Sequence, residues 1–451
     1  MPSGVSRWSS WIQAAPVWLS APGVAIRAVA RNGGLRSLLL ASALQTTCRW
    51  VLVVTLLLVA YQTGGVIAVG VVGLVRTLSA LATIPVSSLL GGRRREHVLG
   101  VLVAVRATVV IAAAATLAFE MPGILFIATG IDAFAGTLRR PVHAALMPSL
   151  ARTPEELVAA NVATNFSENA GSLVGPILGG LLLATFGPVW ALLVAGLGLA
   201  LAAGLVAIVR DVHPGMGPGS EAGRPIASGG VPAVAAGARM VISTPGVRVV
   251  AGLVLADALV RGALAAVIVV LAVQRFGDDG ATVGFLSAMP GLGGLIGVAC
   301  AFGLLSIGRL GDPLVAGLIV AGLAAALLAS TSGFAATAAV LAAAGTASAV
   351  VRIASTTILQ RAIRREDRTG AIGALEGMAE GAMGIGAIGA SLMIDGLGTV
   401  LSIIAIGIVV VLVGAAIWQP IRRFERTLPA RGRAFEVLVP FKIRRLGMGR
   451  A

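Results

Sequence analysis

Long apolar stretches, separated by short polar or charged ones, follow one another along most of this chain. A helix needs about 20 mainly apolar residues to cross a bilayer, and at that length the pattern predicts twelve spanning helices. Glycine, proline and charged residues interrupt the series at residues 210–246, which we interpret as a flexible linker between two sets of six helices. The predicted spans are 37–60, 65–90, 98–118, 122–138, 157–185, 188–209, 247–273, 281–307, 314–331, 333–359, 370–393 and 399–419.

The composition excludes a soluble domain. Of 451 residues, 57% are hydrophobic and 12% are charged, whereas a soluble globular domain carries about 25% charged residues. The predicted fold class is therefore an all-α integral membrane protein with two pseudo-symmetric six-helix bundles. The expected parts are an interfacial N-terminal segment (1–36), a first bundle (37–209), the linker (210–246), a second bundle (247–419) and a basic cytoplasmic tail (420–451).

The basic residues are distributed unevenly along the chain. If the N-terminus is cytoplasmic, 28 of the 34 basic residues fall in cytoplasmic segments and one, Arg275, falls in an external loop. Because cytoplasmic loops retain arginine, this asymmetry predicts a bacterial inner-membrane protein with both termini in the cytoplasm. It also explains the net charge of +15 without a nucleic-acid partner.

The sequence contains no motif for enzymatic chemistry. Lys442 is its only lysine, which excludes the Gly-Lys-Ser/Thr loop of an ATP site. Its three histidines and two cysteines form no metal-binding or nucleophile motif. We therefore expect no enzymatic activity, cofactor or metal, and a monomer whose partners are the lipid bilayer, a small-molecule substrate and protons.

Ten charged residues fall inside the predicted spans. Each costs roughly 2.5–3.5 kcal/mol at the centre of a bilayer, so we expect them to face the bundle interior, a partner or a wet cavity. Arg106 and Arg352 lie nearest the cytoplasmic ends and are expected to extend toward the membrane surface. The candidates for lining a substrate cavity are Arg49, Arg76, Asp257, Arg261, Asn161 and Asn165.

A polar stripe marks the fifth predicted span. Asn161, Asn165, Glu168 and Ser172 recur at spacings of four, three and four residues, which places them on one helix face. Lipid cannot satisfy such a face. The stripe is therefore either a cavity wall with Glu168 as a proton or cation site, or a structural seam against another helix.

The eleventh predicted span carries Glu376 and Glu380 one turn apart. Two adjacent carboxylates in a low dielectric are costly to ionise together, so this couple can hold a proton near neutral pH. The alternative is that each glutamate pairs with an arginine, for which Arg49, Arg76 and Arg261 are available.

Two aspartates have possible arginine partners. Asp257 and Arg261 are four residues apart on one predicted helix, and we expect them to neutralise each other. Asp132 either titrates or anchors Arg106. The candidate proton-coupling residues are Glu168, Glu376, Glu380 and Asp132.

The two halves carry similar glycine patterns. Gly171, Gly175 and Gly179 in the fifth span and the run 373, 377 and 381 in the eleventh both read Gly-xxx-Gly-xxx-Gly. Such spacing brings helix backbones close on one face, so both runs are predicted to pack against another helix. Two six-helix halves with a site between them are typical of transporters.

The stretch RRPVHAALMPSLARTPEELVAANVATNFSENAGSLVGPILGG (139–180) resembles the major facilitator superfamily, and within it the drug-exporter branch that includes the enterobactin exporter. Gly171 to Gly180, with Pro176, is similar to the Gly-Pro motif of the superfamily's antiporters. The resemblance implies proton-coupled efflux of small amphipathic molecules by alternating access.

The signature loop of that superfamily departs from its usual form here. SSLLGGRRREHVLG lacks the Asp that normally precedes its arginines, which are the gating-loop candidates Arg93, Arg94 and Arg95, and the corresponding loop 308–313 reads GRLGDP. The departure favours the alternative function, a transporter-like receptor or membrane assembly partner that does not transport.

Overall fold

The computed structural model describes residues 32–87, 95–119, 121, 123–151, 154–209, 230–277, 280–307, 310–363 and 365–427. Within these residues the chain forms eleven α-helices and no β-strand. The helices are α1 (Gly33–Ser87), α2 (Arg95–Ala118), α3 (Ile124–Leu150), α4 (Pro154–Ala207), α5 (Gly230–Ser243), α6 (Pro245–Phe276), α7 (Gly280–Ile307), α8 (Gly311–Leu327), α9 (Phe334–Ala362), α10 (Arg365–Leu397) and α11 (Thr399–Thr427).

Eight of the described helices contain a stretch long and apolar enough to cross a membrane, so the chain is an integral membrane protein. They are α1, α2, α4, α6, α7, α9, α10 and α11. Helix α8 is also apolar but has 17 residues. Helices α1 and α4, with 55 and 54 residues, are each more than twice as long as one crossing requires.

Glycines interrupt both of these long helices. In α1, Gly64 and Gly65 leave the helical conformation, and Gly65 has a φ of 65°. In α4 the interruption is at Gly187, which has a φ of 81°. Glycine adopts positive φ at little cost, whereas a residue with a side chain is strained there. Each long helix therefore consists of two segments of membrane-spanning length joined at a glycine.

Among the described residues, four glycines have a positive φ: Gly65, Gly187, Gly277 and Gly398. They lie at one end of the bundle, which we call the turn face. Gly180 meets Gly284 seven residues from the turn glycine of each helix, and Gly70 meets Ser391 five and seven residues from the turn glycines of their helices. Gly175 meets Trp50 on the same side of the turn glycines of α4 and α1, which links the two pairs. Because contacting residues share a level in the bundle, the turns themselves share an end.

Within the first half of the molecule, which comprises α1 to α4, the glycine run of α4 packs directly on α1. A Cβ added at Gly175 would lie 2.5 Å from the Cβ of Trp50 and 2.7 Å from the carbonyl oxygen of Thr47. Gly171 and Gly179 approach the α1 backbone in the same way. Only residues without side chains allow two helix backbones to come this close.

The second half uses glycines at several helix pairs. Gly262 of α6 lies against the carbonyl oxygen of Met383 in α10, and Gly386 lies against that of Leu259. Further pairs are α7 with α9, through Gly293, Gly297 and Gly345, α8 with α9, through Gly317, and α8 with α11, through Gly322 and Gly407.

The prediction that the second glycine run also packs against a helix was wrong. A Cβ built at Gly373, Gly377 or Gly381 would have no other described atom within 4 Å. Helix α10 instead makes its close contacts through Gly384 and Gly386, one turn nearer the turn face. Spacing alone could not distinguish the run in α4 from the run in α10. The same glycine pattern packs on a helix in α4 and meets open space in α10.

The predicted linker is also partly helical. Residues 210–229 lie outside the described residues, but Gly230–Ser243 forms α5. This helix lies against α10, and its Val241 is buried. A proline in a first turn is tolerated because the N–H it lacks would have no helical acceptor there, so Pro232 does not prevent helix formation. The flexible-linker prediction therefore does not hold for residues 230–243.

The contact between α1 and α4 yields a stability prediction. Gly175→Leu places a branched side chain where two backbones touch, and we expect a loss of about 1–3 kcal/mol or more in stability. The control is Gly204→Leu in the same helix, where an added Cβ meets nothing within 4 Å. Thermal unfolding of the two purified variants in detergent checks this, and equal midpoints would contradict the close packing.

Candidate functional site

The two halves meet mainly along two helix pairs, the first of which is α4 with α7. A Cβ added at Gly180 would lie 2.7 Å from the Cα of Gly284, and one at Gly291 would lie 2.6 Å from the carbonyl oxygen of Ser172. Pro176 has no N–H, so it leaves that same carbonyl without its intrahelical donor. The backbone of α7 can then approach this carbonyl through Cα–H contacts. The Gly-Pro segment is therefore a contact surface between the halves.

The second pair between the halves is α1 with α10. A Cβ added at Gly73 would lie 2.6 Å from the Cβ of Ala387. One turn along, the hydroxyl of Thr77 donates a hydrogen bond to the carbonyl oxygen of Glu380, with an oxygen–oxygen distance of 3.2 Å. Gly384 leaves the space that this hydroxyl occupies.

Beyond Thr77 the face of α10 is open. The three glycines that would meet nothing, at 373, 377 and 381, follow this contact toward the end of the bundle opposite the turn face. Glu376 is exposed among them. In the described residues, these two contacts thus lie in the part nearer the turn face, while the glycine face of α10 meets open space farther away.

The charged candidates lie at the level where this open space begins. At 1.5 Å per helical residue, Arg49, Glu168, Arg261 and Glu380 lie roughly 24–29 Å from the turn glycines of their own helices. Two of them belong to each half. Charges from both halves therefore lie at the level of the bundle where the open face of α10 begins.

The glutamates differ in their surroundings. Glu168 is half-buried and precedes Asn169, whose Oδ1 would lie 3.7 Å from a Cβ at Gly294 of α7. Glu380 is half-buried and supplies the carbonyl that accepts from Thr77. Among the described residues, no ion pair involves Glu168 or Glu376. The alternative in which Glu376 pairs with Arg49, Arg76 or Arg261 is therefore not observed there.

Several predicted site residues have no described side chain. Asn161 and Asn165 belong to α4 and Arg95 begins α2, but their side chains lie outside the described part, as do Arg93 and Arg94 entirely. Arg49 and Arg76 are both half-buried in α1, and the Arg49 guanidinium lies 5.9 Å from the centre of the Trp50 ring.

Asp132 and Arg106 form a buried ion pair between α3 and α2. The Nε of Arg106 donates to Oδ1 of Asp132 at 2.8 Å, and each side chain is 2% exposed. Gly136, one turn beyond Asp132, leaves room for the guanidinium. The prediction that Arg106 extends to the membrane surface was wrong, since a carboxylate at its own depth makes the interior the more favourable location. Of the two alternatives for Asp132, the structure shows the anchor.

Asp257 and Arg261 form the expected pair along α6. The Nε of Arg261 donates to Oδ2 of Asp257 at 2.9 Å. The aspartate side chain is 1% exposed, whereas the arginine is 34% exposed. Oδ1 of Asp257 is buried and has no hydrogen-bond partner among the described residues. The aspartate of this pair is therefore buried in the protein, whereas the arginine is partly exposed.

The start of α8 makes contacts that sequence reasoning missed. Oδ1 of Asp312 accepts hydrogen bonds from Nε1 of Trp418 and Nε of Arg422 in α11. The carboxylate of Glu425 accepts from the backbone N–H groups of Leu310 and Gly311 at the start of α8. These contacts join two helices of the same half, so they stabilise the second bundle internally.

Arg275, the single basic residue of the predicted external loops, also has a structural role. Its guanidinium donates to the carbonyl oxygens of Leu328, Ala329 and Thr331. These carbonyls follow the last turn of α8, where they have no helical donors. Arg275 thus caps α8 from the end of α6, which explains an arginine outside the predicted cytoplasmic segments.

A cavity of about 520 Å³ lies between α8 and α9. Its lining includes Val320, Leu323, Leu327 and Val340 and has Ser330 as its only hydroxyl. None of the predicted site residues lines it. This apolar groove therefore does not form part of the candidate site.

The family comparison agrees with this architecture. The sequence model of the Major Facilitator Superfamily matches residues 38–329, which is more than half of the chain. The chain therefore belongs to the major facilitator superfamily of membrane transporters. No curated protein matches it.

Solved transporters share the fold at low sequence identity. The nucleoside transporter NupG is 12% identical with a TM-score of 0.71, covering 86% of this chain and 98% of that one. A POT family transporter in complex with a thioalcohol-conjugated peptide is 13% identical with a TM-score of 0.68, covering 89% and 99%. A bacterial homologue of the human lysosomal transporter Spinster, inward-facing and unoccupied, is 14% identical with a TM-score of 0.67, covering 88% and 99%.

The buried ion pair yields a prediction that tests whether Asp132 anchors Arg106. Asp132→Asn leaves the Arg106 charge buried without its partner, and we expect a loss of roughly 3–5 kcal/mol in stability. The double variant Arg106→Met with Asp132→Leu removes both charges and should recover most of that loss. Asp395→Asn, at an exposed position of α10, is the control. A fully stable Asp132→Asn protein would show that this carboxylate is not an anchor.

Proposed function

We propose that this protein is a secondary active transporter that exports small amphipathic molecules in exchange for protons by alternating access. The observation that carries the proposal is the arrangement of the two halves. They touch through two glycine-rich helix pairs in the part nearer the turn face, and the charged residues lie where those contacts end. A transporter needs a removable seal on one side of its binding site, and this arrangement supplies one.

The proposed topology has twelve spans with both termini in the cytoplasm. Helices α1 and α4 would each cross twice, at the turns formed by Gly65 and Gly187, and α3 and α8 would each cross once. The turn face would then be external, in agreement with the distribution of arginines. The halves would be sealed toward the outside and open toward the cytoplasm.

Accessibility of introduced cysteines tests this orientation. Cysteines placed at positions 220 and 430 should resist an impermeant maleimide in intact cells and react after permeabilisation. The matched position is Gly333, an exposed residue between α8 and α9 on the turn face, which should react in intact cells. The opposite pattern would invert the proposed topology.

Proton coupling is proposed to use Glu168 together with the couple of Glu376 and Glu380. Glu376 is exposed and has no ion pair among the described residues, so it can lose and regain a proton without breaking one. Glu380 supplies the carbonyl that Thr77 binds, so this glutamate lies at the contact between the halves. Asp132 is a poorer candidate, because its carboxylate is already bound to Arg106 in a buried ion pair.

We expect Glu168→Gln, or Glu376→Gln combined with Glu380→Gln, to abolish proton-coupled efflux while the protein stays folded. Glutamine keeps the shape of the side chain but cannot carry a proton. Substrate exchange in the absence of a gradient should survive in both variants. Proteoliposomes that contain a pH-sensitive dye and a radiolabelled amphipathic substrate provide both measurements.

Glu96→Gln is the control for this experiment, since Glu96 lies in the first turn of α2, away from the proposed site. Full pH-driven efflux in both glutamine variants would remove these residues from coupling. If the unaltered protein transports none of the compounds offered but binds them, the non-transporting receptor becomes the better function.

A further inference from the structure

Arg261 has an unused hydrogen-bonding edge. Its Nε is occupied by Asp257, and the described residues offer no other partner to the side chain. A guanidinium carries five N–H donors in one plane, and the two terminal nitrogens present four of them. With 34% of the side chain exposed, this edge is available to a ligand.

The position of Arg261 places that edge on the substrate pathway rather than in lipid. A charged edge in contact with hydrocarbon would be strongly unfavourable. The next residue, Gly262, lies against Met383 of α10. Gly381, where α10 meets open space, is two residues before Met383. The exposed part of Arg261 and the open face of α10 are therefore at the same level.

Asp257 fixes the orientation of this edge. Its carboxylate is 1% exposed and accepts from Nε, which restricts the rotation of the guanidinium. Oδ1 of Asp257 has no described partner, so the aspartate makes a single bond to the guanidinium. A bidentate pair through both terminal nitrogens would have occupied the edge that is here left open.

From this geometry we infer that Arg261, oriented by Asp257, binds the carboxylate of an amphipathic organic acid. A planar guanidinium edge matches a carboxylate with two parallel hydrogen bonds, and the apolar helix surfaces around it would receive the hydrocarbon part. This inference rests on the proposed transport function, because it takes the open face of α10 as part of the substrate pathway.

Equilibrium dialysis against the protein in phosphatidylcholine nanodiscs tests the inference, with empty nanodiscs subtracted. The probes are octanoate with octanamide and 1-naphthylacetate with 1-naphthylacetamide, two pairs that differ in the acid group. We expect the unaltered protein to bind the acid at least about tenfold more tightly than the amide in one pair or both, as for hydrogen bonds to charged groups.

Arg261→Lys should reduce this preference to nearly one. Lysine still neutralises Asp257, so the protein stays folded, but a point charge lacks the planar edge. Arg422→Gln is the control, because Arg422 also bonds an aspartate through Nε but is 51% exposed at the end of α11, and its preference should be unchanged. If Arg261→Lys fails to fold, Arg261→Gln with Asp257→Asn removes both charges and should give the same loss.

Equal binding of acid and amide by the unaltered protein would overturn the inference, as would an unchanged preference in the Arg261 variants. These measurements use no proton gradient, so they are independent of coupling. Carboxylate binding without proton-driven efflux would leave the inference intact and remove the proposed coupling.

Discussion

The close approach of helix backbones at glycine is the interaction on which the rest of this structure depends. Between the halves it operates at α4 with α7 and at α1 with α10, and within the halves it joins α1 with α4, α6 with α10 and α7 with α9. In a bilayer, helices gain little from apolar burial against one another, so packing at small residues provides much of their association. Such a contact is strong where both helices present small residues. It ends where no second helix covers them, as on α10 beyond its contact with Thr77.

Charge inside the membrane is handled in two distinct ways. Arg106 and Asp132 neutralise each other in a fully buried pair that stabilises the first half. Arg261 and Asp257 use the same kind of bond, yet the arginine remains open to its surroundings. The two pairs differ because the surrounding helices leave space beside Arg261 but not beside Arg106. The Arg106–Asp132 pair is therefore structural, whereas Arg261 is accessible for the proposed binding.

The sequence predicted the all-helical membrane fold and the glycine contact of α4, because hydrophobic length and small-residue spacing are local properties. It also predicted the Asp257–Arg261 pair, since residues four apart on a helix are neighbours. The pairing of Arg106 with Asp132 was left open, because it depends on how two separate helices are placed. The open face at residues 373–381 could not be predicted, since an identical glycine pattern is buried in α4. The contacts of Asp312 and Arg275 depend on the packing of α8 against its neighbours, which no local pattern records.

The proposed transport cycle requires that the halves, sealed on one side, exchange that seal for one on the other side. Distances between spin-label pairs measure this directly, one pair at Ile67 and Leu397 near the turn face and one at Leu81 and Gly373 toward the opposite end, all exposed positions of α1 and α10. Both native cysteines would be replaced beforehand. Pulsed electron paramagnetic resonance at low and high pH should show two populations of the protein. Between them, the first distance should lengthen while the second shortens. A single population in which neither distance changes, or in which both lengthen together, would contradict the account.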